Sequence, residues 1–321
     1  MQNLTGFVIA FLMAAGCSRE NPGNEEKQTM SSQRAATTLT AFDGKRAFSF
    51  LKAQVAFGPR NPNSEGHRRC LEYLVATLRR SAETVRLQQF MEAGYNNERL
   101  LLTNVMASFQ PAQRQRILLC AHWDTRPRAE HDPDPAKRSK PILGANDGAS
   151  GVAVLLEIAT LLKKTPPAIG VDIVLFDGED YGEEGDLQRY LLGSQYFARN
   201  KPADYRPRFG ILLDMVGDAV LEIPQEKNSL RFAPDIVDLV WKTAAQLHVH
   251  QFVAAVGEEI YDDHLPLNRV GIKTIDLIDF NYPDESHRYW HTHQDVPENC
   301  SAESLQAVGT VLTTLIYSLR P

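Results

Sequence analysis

Residues 171–180 read VDIVLFDGED, an apolar run that ends abruptly in three carboxylates. Such a run reads as a buried strand, and open α/β sheets bind ligands beyond the carboxyl ends of their strands. Asp177, Glu179 and Asp180 therefore lie where chemistry is expected, and the rest of the chain can be ordered around that tip.

Residues 41–56 carry Phe42, Ala47, Phe48, Leu51 and Val55 at helical spacing, and Gly58-Pro59-Arg60-Asn61-Pro62 ends that helix. Residues 64–81 form a second amphipathic helix on Leu71, Leu74, Val75 and Leu78. Two strands, 83–91 and 99–109, flank the turn Gly94-Tyr95-Asn96-Asn97, and a third, 115–121, ends on His122-Trp123-Asp124. The long polar loop 125–143 follows. Its His131, Asp132 and Asp134 read as solvated, because alternating Asp and Pro restrict ligand convergence. Asn146-Asp147 precedes a helix at 151–164. Beyond the opening strand come a helix at 188–200, a strand at 209–216 carrying Asp214, a helix at 235–247, strands at 251–256 and 272–278, and a closing helix at 304–319. Strands alternating with helices predict a three-layer αβα sandwich around a central mixed β-sheet.

The length suits one domain over 40–321. Ahead of it, residues 7–15 are apolar but too short to span a bilayer, and Ala14-Ala15-Gly16-Cys17 resembles a bacterial lipoprotein box. Residues 1–17 are thus expected to be a signal peptide, although no Lys or Arg precedes the apolar run. Cys17 is expected to be lipidated, 18–39 to be a disordered tether, and the protein to be an exported monomer, periplasmic or held at a membrane through Cys17. A net charge of −6, with basic residues such as Arg126 and Arg128 scattered among acids, argues against nucleic acid as a partner. Cys70, Cys120 and Cys300 are an odd number without tight spacing, so no disulfide framework is expected, and Cys120 reads as buried and inert.

Five strand or helix ends carry polar groups: His122 with Asp124, Asp147, Glu179 with Asp180, Asp214, and Trp290-His291-Thr292-His293. Carboxylates and imidazole from different loops suit a hydrolytic zinc site. Side chains of neighbours past a strand point in different directions, so one of Glu179 and Asp180 can bind metal while the other stays free as a base. The plainer reading of that pair is a solvated acidic turn, which is also the reading of Glu183 and Glu184. Spacing does not choose between His291 and His293, and His248, His250 and His287 read as surface residues.

Seven motifs in order, AHWDTRP, GANDGASGVAVLLEIA, FDGEDYG, LGSQYFA, ILLDMVGD, DDHLPLNR and YWHTHQDVPEN, resemble the zinc-dependent glutaminyl cyclases across roughly residues 57–317. The resemblance is strongest to the bacterial group related to animal glutaminyl-peptide cyclotransferases, within an M28-like superfamily of zinc metallo-aminopeptidases. It implies an enzyme that cyclises the N-terminal Gln of peptides and proteins to pyroglutamate with release of ammonia. It further implies one zinc per chain on Asp147, Asp180 and His291, Glu179 as general acid/base, and Trp290 as a pocket wall. Asp214 and Asp262 would be a hydrogen-bonded carboxylate pair beside the substrate, with Asp263 as the other candidate for the second place. His122 falls where the aminopeptidases hold a second metal with Asp214, which makes a two-zinc aminopeptidase the alternative. A catalytically silent peptide-binding lipoprotein is a third reading, and the complete ligand set speaks against it. The chain departs from the animal cyclases in three places: Asp180 replaces a Glu ligand, Val152 stands at the second disulfide position so that Cys120 is expected to be free, and a pocket tryptophan after the acidic pair has no equivalent. Asp177 is left as structural support.

Overall fold

The computed structural model describes residues 41–183 and 185–321. The expected signal peptide and lipidation site, the tether at 18–39 and Glu184 lie outside the described residues.

The chain runs α1 (Gly44–Val55), α2 (Glu65–Arg79), β1 (Thr84–Ala93), β2 (Arg99–Phe109), β3 (Arg116–His122), α3 (Ala149–Lys164), β4 (Gly170–Phe176) and α4 (Leu192–Asn200). It continues through β5 (Gly210–Asp214), β6 (Ile223–Gln225), α5 (Lys227–Phe232), α6 (Pro234–Gln246), β7 (Phe252–Val256), α7 (His264–Arg269), β8 (Thr274–Ile278) and α8 (Ala302–Ser318). The main sheet is six-stranded in the order β1-β2-β4-β3-β5-β8. Pairings β1–β2 and β2–β4 are antiparallel, whereas β4–β3, β3–β5 and β5–β8 are parallel, so the sheet is mixed as expected. A small parallel pair, β6 with β7, stands apart.

The apolar runs in β3 and β4 are continuous because both faces of these strands are covered. Ile117, Leu119 and Ala121 face the larger core, with Val171, Ile173 and Leu175, under α1, α3 and α8. Leu118, Cys120, Val174 and Phe176 face the smaller one, against Phe197 of α4 and Leu267 of α7. Asp172 is the one charge inside β4, and it is compensated: Arg116 donates to both of its oxygens at 2.6 and 2.8 Å, and Ser108 and Tyr205 donate as well. A buried carboxylate needs such partners. Cys70, Cys120 and Cys300 are buried and free.

Several boundaries shift for local reasons. The strand expected at 209–216 stops at Asp214, because Met215 turns into the left-handed region at φ 49. The helix expected at 188–200 begins only at Leu192; Leu191 sits at φ 59 and separates it from a single turn of 3-10 helix at Leu187–Arg189. Elements β6, α5 and α7 were not foreseen in the sequence.

Candidate active site

The parallel strands deliver their C-terminal ends to one edge of the sheet. His122 pairs in register with Phe176, so the end of β3 lies beside the segment Asp177–Asp180, and Asp214 ends β5 on the other side.

The acidic tip is held by neighbouring side chains and backbone amides. Asp177 is fully buried and accepts from His67 Nε2 at 2.8 Å and from the Thr103 amide at 2.6 Å, a structural role as read from the sequence. His67, stacked on Trp123, was not foreseen. Asp124 is equally buried, and its two oxygens accept from the amides of Glu179 and Asp180 at 3.1 and 3.3 Å. That fork fixes the backbone of the pair, so the two side chains diverge.

Asp147 enters from the turn before α3. Asp295 holds that turn by accepting from the amides of Asn146 and Asp147, at 2.7 and 3.2 Å, and from the Tyr282 hydroxyl. Burial, with the charge of Asp147, pushes the Asp295 carboxyl up to about 7. The adjoining Gly148 is needed for close approach, because a Cβ there would lie 2.4 Å from the His122 ring.

Asp147, Asp180 and His291 offer ligand atoms that all lie within 4.8 Å of one another. His291 Nε2 is 3.3 Å from Asp180 Oδ1 and 3.6 Å from Asp147 Oδ2. His293 is not part of the group; its Nδ1 and amide instead bind Asp132 Oδ2, at 2.9 and 3.0 Å. That contact decides between the two histidines. It also corrects the expectation of a solvated Asp132, which is 2% exposed. His131 is exposed, as expected, and its ring packs edge-on against Trp290 with centroids 4.7 Å apart.

Two carboxylates and an imidazole are a donor set that zinc accepts, leaving a position for water or substrate. One atom shows the fit directly. Asp180 Oδ2 is buried and meets no hydrogen-bonding group among the described residues, which is costly for a carboxylate unless a cation faces it. A second group, His122, Asp147 and Asp214, also satisfies the 4.8 Å criterion. Here the donors are engaged with one another: His122 Nε2 lies 3.1 Å from both Asp147 Oδ1 and Asp214 Oδ1.

Protonation divides the acidic pair. Burial, reinforced by Asp180, Asp262 and Asp263, lifts the Glu179 carboxyl well above the usual range against the pull of His122. For Asp180 burial is outweighed by His291 and Arg126, and its carboxyl is held well below that range. Asp262 and Asp263 are both buried. Burial and the neighbouring Asp214 lift the Asp262 carboxyl well above the usual range, and burial raises Asp263 to about 7. Asp276 lies behind Asp262, fully buried, and had no place in the sequence reading. Trp290 stacks on His291 with centroids 3.8 Å apart and meets Phe280 at 5.0 Å, forming an aromatic wall.

Known proteins share this fold. The crystal structure of Bacteroides thetaiotaomicron glutaminyl cyclase bound to N-acetylhistamine matches with a TM-score of 0.84 and 41% identity, covering 88% of this chain and 100% of that one. A Zn-dependent exopeptidase from Parabacteroides distasonis matches with a TM-score of 0.84 and 39% identity, over 88% and 100% of the respective chains. Glutaminyl-peptide cyclotransferase of Bos taurus is 22% identical over 245 residues, which is 67% of this chain and 65% of that protein, so less than two thirds of that relative's length is matched. Residues 104–316, which contain every side chain of the cluster, match the model of peptidase family M28, and the chain belongs to that family.

Proposed function

We propose that the protein is a zinc-dependent glutaminyl cyclase, an acyltransferase that converts the N-terminal glutamine of peptides and proteins to pyroglutamate and ammonia. The observation that carries this reading is the state of the two candidate metal groups. His122 Nε2 is hydrogen-bonded to Asp214 and lies 3.1 Å from Asp147 Oδ1, whereas Asp180 in the other group, 3.3 Å from His291, keeps a buried carboxylate oxygen without a partner. One metal position beside one free buried glutamate is what the cyclisation requires. The 41% identity with the Bacteroides enzyme supports the same choice.

Asp147, Asp180 and His291 would hold the ion. When bound, zinc supplies Lewis-acid polarisation of the glutamine side-chain carbonyl. Glu179 takes a proton from the α-amine as its nitrogen bonds to the amide carbon, then returns that proton to the nitrogen that leaves as ammonia. A carboxyl raised well above its usual range suits both halves of the transfer. Attacker and target belong to one residue, so the remaining task is to fold the side chain into an attack conformation. Trp290 walls that fold, and the Asp214–Asp262 pair accepts from the substrate nitrogens. With the leader read at residues 1–17, the reaction is assigned to peptides outside the cytoplasm.

The two-zinc aminopeptidase is the second reading, favoured by the His122, Asp147 and Asp214 group and by the likeness to an exopeptidase. Metal analysis together with two substrates separates them. The expected result is one zinc per chain and ammonia released from glutaminyl peptides. Two zincs, hydrolysis of leucyl-anilide and no ammonia would replace the cyclase with the aminopeptidase.

A further inference from the structure

Arg126 stands in the segment after β3 and is 1% exposed. A guanidinium has five N–H donors. Here every one has an acceptor. Nε and one Nη2 hydrogen bind Glu130 at 2.8 and 2.7 Å, and the other Nη2 hydrogen binds the Tyr190 hydroxyl at 2.8 Å. Both Nη1 hydrogens go to a single residue: Asp180 Oδ1 at 2.8 Å and the Asp180 main-chain carbonyl at 3.1 Å. The cation is thus clamped by Glu130 on one side and applied to Asp180 on the other.

A carboxylate beside zinc can bind through one oxygen or through both. At Asp180 the carboxylate is oriented before any ion arrives: Oδ1, which lies 3.3 Å from His291 Nε2, accepts from Arg126, while Oδ2 is the buried oxygen without a partner. The bond to the carbonyl also fixes the backbone of a ligand one methylene shorter than glutamate, whose reach depends on where its main chain sits. An arginine does this at any working pH, since it stays charged and its planar fork serves two acceptors at once; a lysine offers a point charge on a flexible stem.

We propose that Arg126 is a positioning residue for the metal: by holding Oδ1 and the carbonyl of Asp180 it fixes the carboxylate and the backbone of this ligand together. This rests on the zinc reading above, but not on which reaction the zinc serves. Loss of groups that orient metal ligands typically weakens affinity about 10- to 100-fold.

The test uses the purified full chain and its R126M and R126K variants. Zinc affinity is measured by competition with a chromogenic chelator, and coordination number is read from the visible spectrum of the cobalt-substituted proteins. Zinc affinity is expected to fall about 10- to 100-fold in both variants. The cobalt absorption bands are expected to shift in position and intensity, as the Asp180 carboxylate loses its fixed orientation. If R126M does not fold, as circular dichroism would show, R126K carries the test. Variants that bind zinc within about twofold of wild type with an unchanged spectrum overturn the proposal. Weaker binding with an unchanged spectrum overturns the positioning role. A wild-type protein without a tight zinc site removes the metal reading itself, a result separable from both.

Discussion

Glu179 and Asp180 are neighbours in sequence whose carboxyl groups are shifted in opposite directions. Asp180 meets Arg126 and His291, whereas Glu179 feels the charges of Asp180, Asp262 and Asp263. The E179Q variant keeps shape and hydrogen-bonding reach but cannot carry the proton, so turnover should fall by roughly 10²- to 10⁴-fold while zinc stays bound. Ammonia release and metal content on one preparation check this, and undiminished turnover would take the proton away from Glu179. The residues at this scale that were legible in the sequence are those ending regular elements, His122, Asp147, Glu179, Asp180 and Asp214, because an apolar run that stops on a polar side chain is visible locally. Asp132 and Arg126 were not. Each takes its role from partners distant in sequence, His293 for one and Asp180 for the other, and nothing in a polar loop announces such pairing.

Among the elements, β6, α5 and α7 are 3, 6 and 6 residues long, too short for either hydrophobic period to register. Glu226 organises this region. It caps α5 by accepting from the amides of Asn228 and Ser229, reaches the Ile260 amide at 3.0 Å, and lies 3.5 Å from His264 of α7. Burial opposes its ionisation, but His264 and those amides prevail and hold its carboxyl at about 2. An unfolded glutamate titrates near 4.3, about two units higher, so the ionised cap stabilises the fold by on the order of 3 kcal/mol above that pH. The sign follows: the contribution is complete above about pH 4.3 and is lost as pH falls toward 2. The E226Q variant should therefore unfold at lower urea than wild type at pH 7, with the gap closing between about pH 4 and 2. A gap independent of pH would assign the loss to packing instead.

At the scale of the whole molecule, the order β1-β2-β4-β3-β5-β8 places β4, β3 and β5 side by side, and that adjacency alone turns Asp180, His122 and Asp214 into one site. Alternation of strands and helices made the layered fold legible, but strand order depends on long-range pairing that periodicity does not encode. Because the ligands come from the end of β4, the start of α3 and the segment before α8, a bound ion would tie distant parts of the chain together. Removing zinc with a chelator should lower the melting temperature by roughly 5 °C or more, given about 2.7 kcal/mol of linkage at a hundredfold excess over Kd. An unchanged midpoint would argue against zinc at this site. The sealed thiols carry a consequence of another kind. Cys70, Cys120 and Cys300 are buried and unbonded, and burial raises all three thiols above their ordinary pKa, which leaves them poor nucleophiles. Residues 41–321 therefore ask nothing of the glutathione poise around them: neither an oxidase to complete the fold nor a reductase to protect it, so this part of the polypeptide can mature on either side of a membrane.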